Sequence, residues 1–461
     1  MFPGLDPLKP DPDPGVVLSD LGGLAASLLD PNVTAGPGNR DNLGALGSAL
    51  TYWGQFIDHD LTLDLEPQPT KFFTQDSNGT LLDDDTQSPV LNNESFRFDL
   101  SSMYGGGPSV SPQLYEADGV HFAIQEDNGN GVRDLQRNAD GSAVLVEHRN
   151  DENQIILQVH ILFEKFHNAV ADTMNTGFED TRAIVIKYYQ WAVLHEFLPE
   201  IVGQDVIDGF MDGSIQSFYK PGNPHHPMTP VEWAVAAYRF GHSIVRKAYE
   251  VTNNTGKLQV FNGTAADLHG GRPLGAGRQI DWGNFIKDLK RPENVAHFNF
   301  PRFVDTLVSS GLFTLPIGGL AGAEPQGSNI LAFRNLVRGF FYGLPSGQDV
   351  AQAMGVDVIS PTDILPNPLN STPITFFANG SPLWYYILRE SEIQGGLRLG
   401  TVGGRIVTDV FLGLLQADPD GLLHDNSAAN GGFQPQPPIA PSVGQFGIGD
   451  MAVFAGVATR P

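Results

Sequence analysis

The sequence predicts a mostly α-helical protein built as one large, loop-rich domain with few short strands. Apolar residues recur at helical spacing in several long segments, whereas period-2 alternation is scarce. Length alone, at 461 residues, suits about three domains, yet no composition break or linker divides the chain. The 53 glycines and 34 prolines follow no repeat, so they fit ordered loops between helices. Residues 1–48, rich in Pro, Gly and Asp, are expected to form an extended N-terminal arm, leaving 49–461 as the main domain. The first strong helix is expected over 49–63, followed by loops and short strands over 64–150, where Gly, Asn, Asp and Pro cluster. Ile155, Ile156, Val159, Leu162, Phe163 and Phe166 predict a helix from Glu152 to Met174. A second is expected over 180–199, ending at Pro199, and another over 229–248, opening on Thr229-Pro230 as cap and first turn. Further helices are expected at 301–310, 329–341, 347–354, 381–391 and 402–416.

Composition removes several classes of function. A formal charge of −25 argues against nucleic acid and anionic membrane surfaces as partners. The absence of cysteine excludes disulfides, zinc–thiolate sites and iron–sulfur clusters. No run of about 18 apolar residues suggests a membrane span. The opening MFPGLDPLKPDPDPG lacks the basic start and apolar core of a signal peptide.

Chemistry concentrates in five clusters. In LTYWGQFIDHDLTL (50–63), Gln55, Asp58 and His59 stand at i, i+3 and i+4 and share a helix face among apolar residues. Such a face is costly unless something occupies the space before it. Asp60 points elsewhere. In AAYRFGHSIVR (236–246), Arg239 and His242 stand three apart, so a ligand held by one is within reach of the other. If one nitrogen of His242 binds a metal, the other needs a fixed partner. Asn335 in FRNLVRGFFYGLPSG (333–347) can supply it, with Arg338 one turn on to meet an anion. HRNDEN (148–153) sets Arg149 three residues before Glu152, and an arginine beside a histidine keeps the imidazole neutral. SFRFDLSSMYG (95–105) groups the hard oxygens of Ser95, Asp99 and Ser101, a set that suits calcium, with Asp60 as a further carboxylate. Taken singly, each cluster also fits a satisfied core histidine, a charged turn or a helix end.

Together, WGQFIDHD (53–60), RNDE (149–152), RFGH (239–242) and NLVRGFFYGLP (335–345) resemble, in order and approximate spacing, the animal-type haem peroxidases of the peroxidase–cyclooxygenase superfamily, and its bacterial members in particular. The resemblance runs from about residue 20 to the C-terminal region and implies haem held between central helices. It implies His59 as the distal acid–base, Gln55 as the residue ordering water or halide, and Arg149 as the distal arginine. It implies His242 as the iron ligand, Asn335 as its partner, and Arg239 and Arg338 at the haem propionates. Asp58 and Glu152 match the carboxylates ester-linked to haem b. Asp60, Ser95, Arg97 (through its carbonyl), Asp99 and Ser101 match the calcium site. The implied substrates are hydrogen peroxide and a small donor. Asn153 stands where one mammalian member has a methionine linked to haem, and Phe340, Phe341 and Tyr342 replace a frequent Arg-Asp-His. These departures favour bromide, iodide, thiocyanate or phenolic donors over chloride.

Two other functions fit less well. A fatty-acid dioxygenase of the superfamily places tyrosine three residues before the proximal histidine, where this chain has Arg239, with Tyr238 one residue out of register. A non-catalytic adhesion or scaffold module would be signalled by loss of His59 or His242, and both are present. A calcium site favours an extracellular setting. Oligomeric state is not legible.

Overall fold

The computed structural model describes residues 1–8, 14–30, 41, 46–62, 95–223, 226–315, 329–365, 380–425 and 432–461. The principal helices are α1 (Pro14–Ser27), α2 (Ala49–Leu61), α3 (Gln154–Met174), α4 (Phe178–Ala192), α5 (Gln204–Met211), α6 (Leu331–Phe341), α7 (Gly347–Ala353), α8 (Leu383–Ile393), α9 (Thr401–Ala417) and α10 (Ile448–Phe454). Among the described residues, strand pairing is confined to three antiparallel ribbons, each of two-residue strands, and isolated bridges.

Helix α3 shows how the sequence builds the centre. Its apolar residues Ile155, Ile156, Val159, Leu162, Phe163 and Phe166 are all buried. Asn153 caps its start, the side-chain oxygen accepting from the amides of Ile155 and Ile156 at 3.1 and 3.0 Å. Asn175 ends it in the left-handed conformation (φ 52°), which asparagine tolerates better than most residues. Helix α2 lies against α3. There Phe56 and Phe163 stack with ring centroids 4.5 Å apart, and truncating either to alanine costs about 3–5 kcal/mol. Around this pair α4 and α10 also contact α3, while α8 packs on α6 and α9.

Several expected elements differ. Residues 14–27, expected within an extended arm, form α1, which packs on α6 and buries Val17, Leu21 and Leu24. The helix expected to stop at Pro199 instead passes through a π-turn (Val193–Phe197) into Leu198–Val202. Pro199 falls in the first turn of that last segment, where its missing N–H is least costly. The helix expected over 229–248 is three short pieces: a π-turn (Glu232–Ala236), a 3₁₀ turn (Ala237–Phe240) and an α turn (Gly241–Ile244), with Ala248–Tyr249 already in a ribbon. Residues 301–309 are irregular, and a single turn, Ser310–Phe313, follows. Of the loop region expected over 64–150, residues 64–94 lie outside the described residues, and 95–150 hold short helical turns, one ribbon and isolated bridges.

One backbone junction positions the chemistry. The 3₁₀ turn His148–Asp151 precedes α3 and is tied to residues 268–271. Gln154 N donates to Leu268 O (2.8 Å), Gly270 N to Glu152 O (3.0 Å) and Gly271 N to Asp151 O (2.9 Å). A Cβ at Gly270 would lie 1.7 Å from Asp151 O, so only glycine allows this approach. Gly270→Ala is therefore expected to destabilise the protein by about 2–3 kcal/mol, read as a lower urea midpoint. An unchanged midpoint would show that the junction yields without cost.

Candidate active site

A cavity of about 330 Å³ opens between α2, the 148–153 turn, the segmented helix 232–244 and α6. Gln55, Asp58, His59, Arg149, Glu152, Arg239, His242, Asn335 and Arg338 all line it. Apolar side chains such as Phe197, Ile201, Val245, Val260 and Leu331 complete its wall. The four segments are far apart in the chain, and packing brings their polar residues to one space.

Helix α2 delivers Gln55, Asp58 and His59 to the cavity on a shared face. His59 is 4% exposed, and its Nδ1 lies 2.8 Å from Asn150 Oδ1. Burial, and next the Arg149 guanidinium, hold this imidazole well below its ordinary range, although the Asn150 bond works the other way. Arg149 is clamped by Glu147, its Nε and Nη2 donating to the two carboxylate oxygens at 3.0 and 2.9 Å. It also donates to the carbonyl of Thr62 and stands 3.9 Å from Asp58 Oδ2. Burial opposes its charge, but Glu147, Asp58 and Glu152 outweigh that and hold it firmly protonated. Gln55 Nε2 donates to Glu152. Burial pushes the Glu152 carboxyl up to about 7, against the pull of Arg149. Asn153 also donates to Gln55 Oε1 at 3.5 Å while its own oxygen caps α3.

His242 also lines the cavity. Its surface is partly open to that space, yet the ring is enclosed by protein, which, with Arg239, Arg338 and Arg334, lowers its pKa to about 3. Its Nδ1 lies 2.8 Å from Asn335 Nδ2, and Nε2 has no partner among the described residues. The sequence predicted that Asn335 accepts from this ring, whereas the amide nitrogen faces it here. For Nε2 to bind a metal, the proton must sit on Nδ1, which requires the amide turned by 180° so that Oδ1 accepts. The π-turn and 3₁₀ turn before His242 depart from α-geometry at the cavity wall, as helices often do at functional sites.

Behind α2, Asp60 is fully buried against the 95–102 loop. Its oxygens accept from Leu100 N (3.1 Å) and from Ser102 N and Oγ (3.4 and 3.1 Å). In that loop Asp99 accepts from Ser101 N at 3.0 Å, and Ser95 Oγ accepts from Arg97 N at 3.2 Å. Burial raises the Asp99 carboxyl, the opposing bonds from Ser95 and Ser101 notwithstanding. Among the described residues no group of three or more His, Cys, Asp or Glu side chains forms a metal cluster. The five oxygen-bearing residues, two of them carboxylates, are nonetheless brought to one region.

Residues 71–269 match the family model for animal haem peroxidase. Chorion peroxidase of Drosophila melanogaster is 25% identical over 360 residues, which cover 73% of this chain and 43% of that protein. Over these stretches the chain is similar to animal haem peroxidases. It spans less than half the length of the curated relatives it matches. The fold is similar to that of solved structures. Peroxidase A from Dictyostelium discoideum superimposes with a TM-score of 0.58 at 18% identity, covering 87% of this chain and 83% of that one. Fatty acid alpha-dioxygenase from Arabidopsis thaliana gives 0.54 at 16% identity, covering 90% and 71%.

The fold brings to one cavity every haem-site residue that the peroxidase resemblance marks. Glu147, Asn150 and Arg334 escaped sequence reasoning. Asn150 lies inside HRNDEN beside Arg149, and Arg334 directly precedes Asn335, so adjacency to marked residues was the available signal. Glu147 offered less, a buried glutamate two residues before its arginine.

The raised Glu152 carboxyl has a consequence for stability. The folded state holds a proton that the unfolded chain releases from about the ordinary glutamate value upward. Its stabilising contribution is thus complete below that value and lost as pH rises through about 7. Glu152→Gln is expected to gain stability relative to the parent between pH 5 and 8, measured as the difference in Tm of the haem-free proteins. A difference independent of pH would remove Glu152 from that role.

Proposed function

We propose that this chain is a haem peroxidase that reduces hydrogen peroxide and oxidises a small donor. The observation that carries the proposal is the cavity shared by His59 and His242, where His59 stands with Gln55 and Arg149 and the Nε2 of His242 has no partner among the described residues.

The residues present fit haem. His242 Nε2 is a suitable iron ligand once Nδ1 donates to Asn335. Arg239, Arg334 and Arg338 supply cations for two propionates, and the remaining wall is largely apolar. Asp58 and Glu152 are the carboxylates that would form ester links to haem b. Haem bound here supplies the iron at which peroxide is reduced by two electrons and the donor then oxidised.

The chain's own groups handle protons and charge. His59 is neutral at neutral pH because burial and Arg149 disfavour its imidazolium, so it can accept a proton. Its Nε2 takes the proton from one peroxide oxygen and returns it to the departing one, which leaves as water. Arg149, fixed by Glu147, places a permanent positive charge where negative charge develops as the O–O bond breaks. Gln55, held by Glu152 and Asn153, presents an amide to water or a halide.

The proposed donors are bromide, iodide, thiocyanate or phenolics. Asn153 cannot form the sulfur link of a methionine, and its side chain is committed to capping α3 and to Gln55. Calcium is proposed at Asp60, Ser95, Arg97, Asp99 and Ser101. A cation there would offset the burial of Asp99 and tie the back of α2 to the loop, setting His59 in place. Residues 49–461 would form the catalytic domain, with α1 as an accessory helix.

A second reading, oxygenation of a fatty acid, draws on Tyr238, which lines the same cavity. Its hydroxyl donates to Gly54 O at 3.2 Å, and Arg239 occupies the position where the dioxygenase pattern needs tyrosine. The peroxidase reading is therefore preferred.

Haem-reconstituted protein is expected to oxidise a phenolic dye with peroxide. His59→Ala should retain the haem absorption band and lose roughly 10²–10⁴-fold in turnover, while His242→Ala should alter or lose that band. Oxygen uptake with an unsaturated fatty acid in place of dye oxidation would favour the second reading, and full haem occupancy without turnover a scaffold. After peroxide treatment, denatured protein should keep the added mass of haem, and Asp58→Val with Glu152→Gln together should abolish it. Retention of that mass in the double variant would exclude the ester links.

A further inference from the structure

Beyond the cavity, His59 continues into a line of buried polar groups. Asn150 Oδ1 lies 2.8 Å from His59 Nδ1, Asn150 Nδ2 lies 3.1 Å from His160 Nδ1, and His160 Nε2 lies 3.1 Å from Glu164 Oε1. His59, Asn150, His160 and Glu164 are 4%, 0%, 1% and 3% exposed. His160 and Glu164 stand one turn apart on α3, in the layer where Phe56 stacks on Phe163, with the Phe56 ring 6.1 Å from that of His160. Four polar side chains in an apolar layer are costly unless each bond is made, and a chain of such bonds has a definite sense.

That sense can be read from its far end. A carboxylate at Glu164 accepts, so His160 Nε2 carries a proton and donates. A neutral His160 then offers Nδ1 as an acceptor, which takes a hydrogen from Asn150 Nδ2. The Asn150 oxygen is thereby turned toward His59 and accepts from its Nδ1–H. His59 Nε2, which has no partner among the described residues, is left with its lone pair. With the amide reversed, His160 would need protons on both nitrogens, and His59 would carry its proton on Nε2 and could not accept another there.

We infer that Asn150, His160 and Glu164 are positioning residues that hold His59 in the Nδ1–H tautomer, keeping Nε2 ready to accept a proton in the cavity. The catalytic consequence rests on the peroxidase reading, while the tautomer does not. None of the three lines the cavity, so they act through His59 and not on a substrate.

The test uses protein labelled with ¹⁵N-histidine, purified with and without added haem, the loaded form being kept diamagnetic under carbon monoxide. The His59 signals are assigned by their loss in His59→Gln. The parent should show a protonated Nδ1 and a bare Nε2. Asn150→Leu, which removes both bonds at similar volume, should give mixed tautomers and slow the reaction of the haem-loaded protein with peroxide by roughly 10- to 100-fold. Asn150→Asp, which retains an acceptor toward His59, should restore both tautomer and rate, a rescue that a merely structural role would not produce. Glu164→Leu serves if Asn150→Leu does not fold, and it should also mix the tautomers. A parent His59 protonated on Nε2, or a single unchanged tautomer in Asn150→Leu or Glu164→Leu, overturns the relay. A parent with the expected tautomer but no turnover at full haem occupancy supports the relay and sinks the peroxidase reading instead.

Discussion

The backbone pairing between residues 151–154 and 268–271 is the constraint on which the site depends. It holds a five-residue stretch, residues 149–153, four of whose side chains go to four different tasks. Arg149 enters the cavity on its clamp, Asn150 turns back to His59, Glu152 meets Gln55, and Asn153 starts α3. Because Gly270 admits Asp151 O where any side chain would collide, the stretch has almost no freedom to slide. The helices on either side could tolerate small shifts in packing. This turn could not, since each neighbouring residue is tied to a separate partner.

Charge is organised in opposition across the molecule. The chain as a whole is strongly acidic, yet its cavity is lined by Arg149, Arg239, Arg334 and Arg338. After the larger effect of burial, Arg239, Arg338 and Arg334 lower the pKa of His242, and Arg149 and Arg239 lower that of His59. Both imidazoles are therefore neutral at neutral pH, the state in which one can bind a metal and the other accept a proton. The carboxylates are placed unevenly. Glu147 sits behind Arg149 and fixes it, whereas Glu152 is buried deeply enough to keep its proton close to neutrality.

Much of this was legible in the sequence because helical spacing is local. Gln55, Asp58 and His59 on one face of α2, and Asn335 one turn before Arg338 on α6, follow from residue intervals alone. The apolar face of α3 was legible for the same reason. The elements that were missed depend on distant packing. α1 is a glycine-containing helix preceded by prolines and acids, stabilised by its contact with α6, which no local pattern announces. The π-turns at 193–197 and 232–236 disturb register without any proline or glycine inside them. Residues 301–309 carry apolar residues at helical intervals but are drawn into backbone bonds with Ile244, Gly396 and Leu28 instead. In the site, Glu147, Asn150 and Glu164 became meaningful only once their partners were known. Even so, His160 and Glu164 already stood at i, i+4 in a helix the sequence had marked.

The segment leading to His242 winds loosely over Glu232–Ala236 and then tightly over Ala237–Phe240. The two irregularities follow directly on one another, and Ala236 at their junction sits at φ −122°, ψ −70°, outside helical geometry. In an α-helix each residue advances the azimuth by about 100°. Deleting one residue from the loose stretch would thus swing the His242 ring about a quarter turn or more away from its present bearing, with little change in hydrophobicity. The length of that stretch is as much a part of the site as the identity of the histidine.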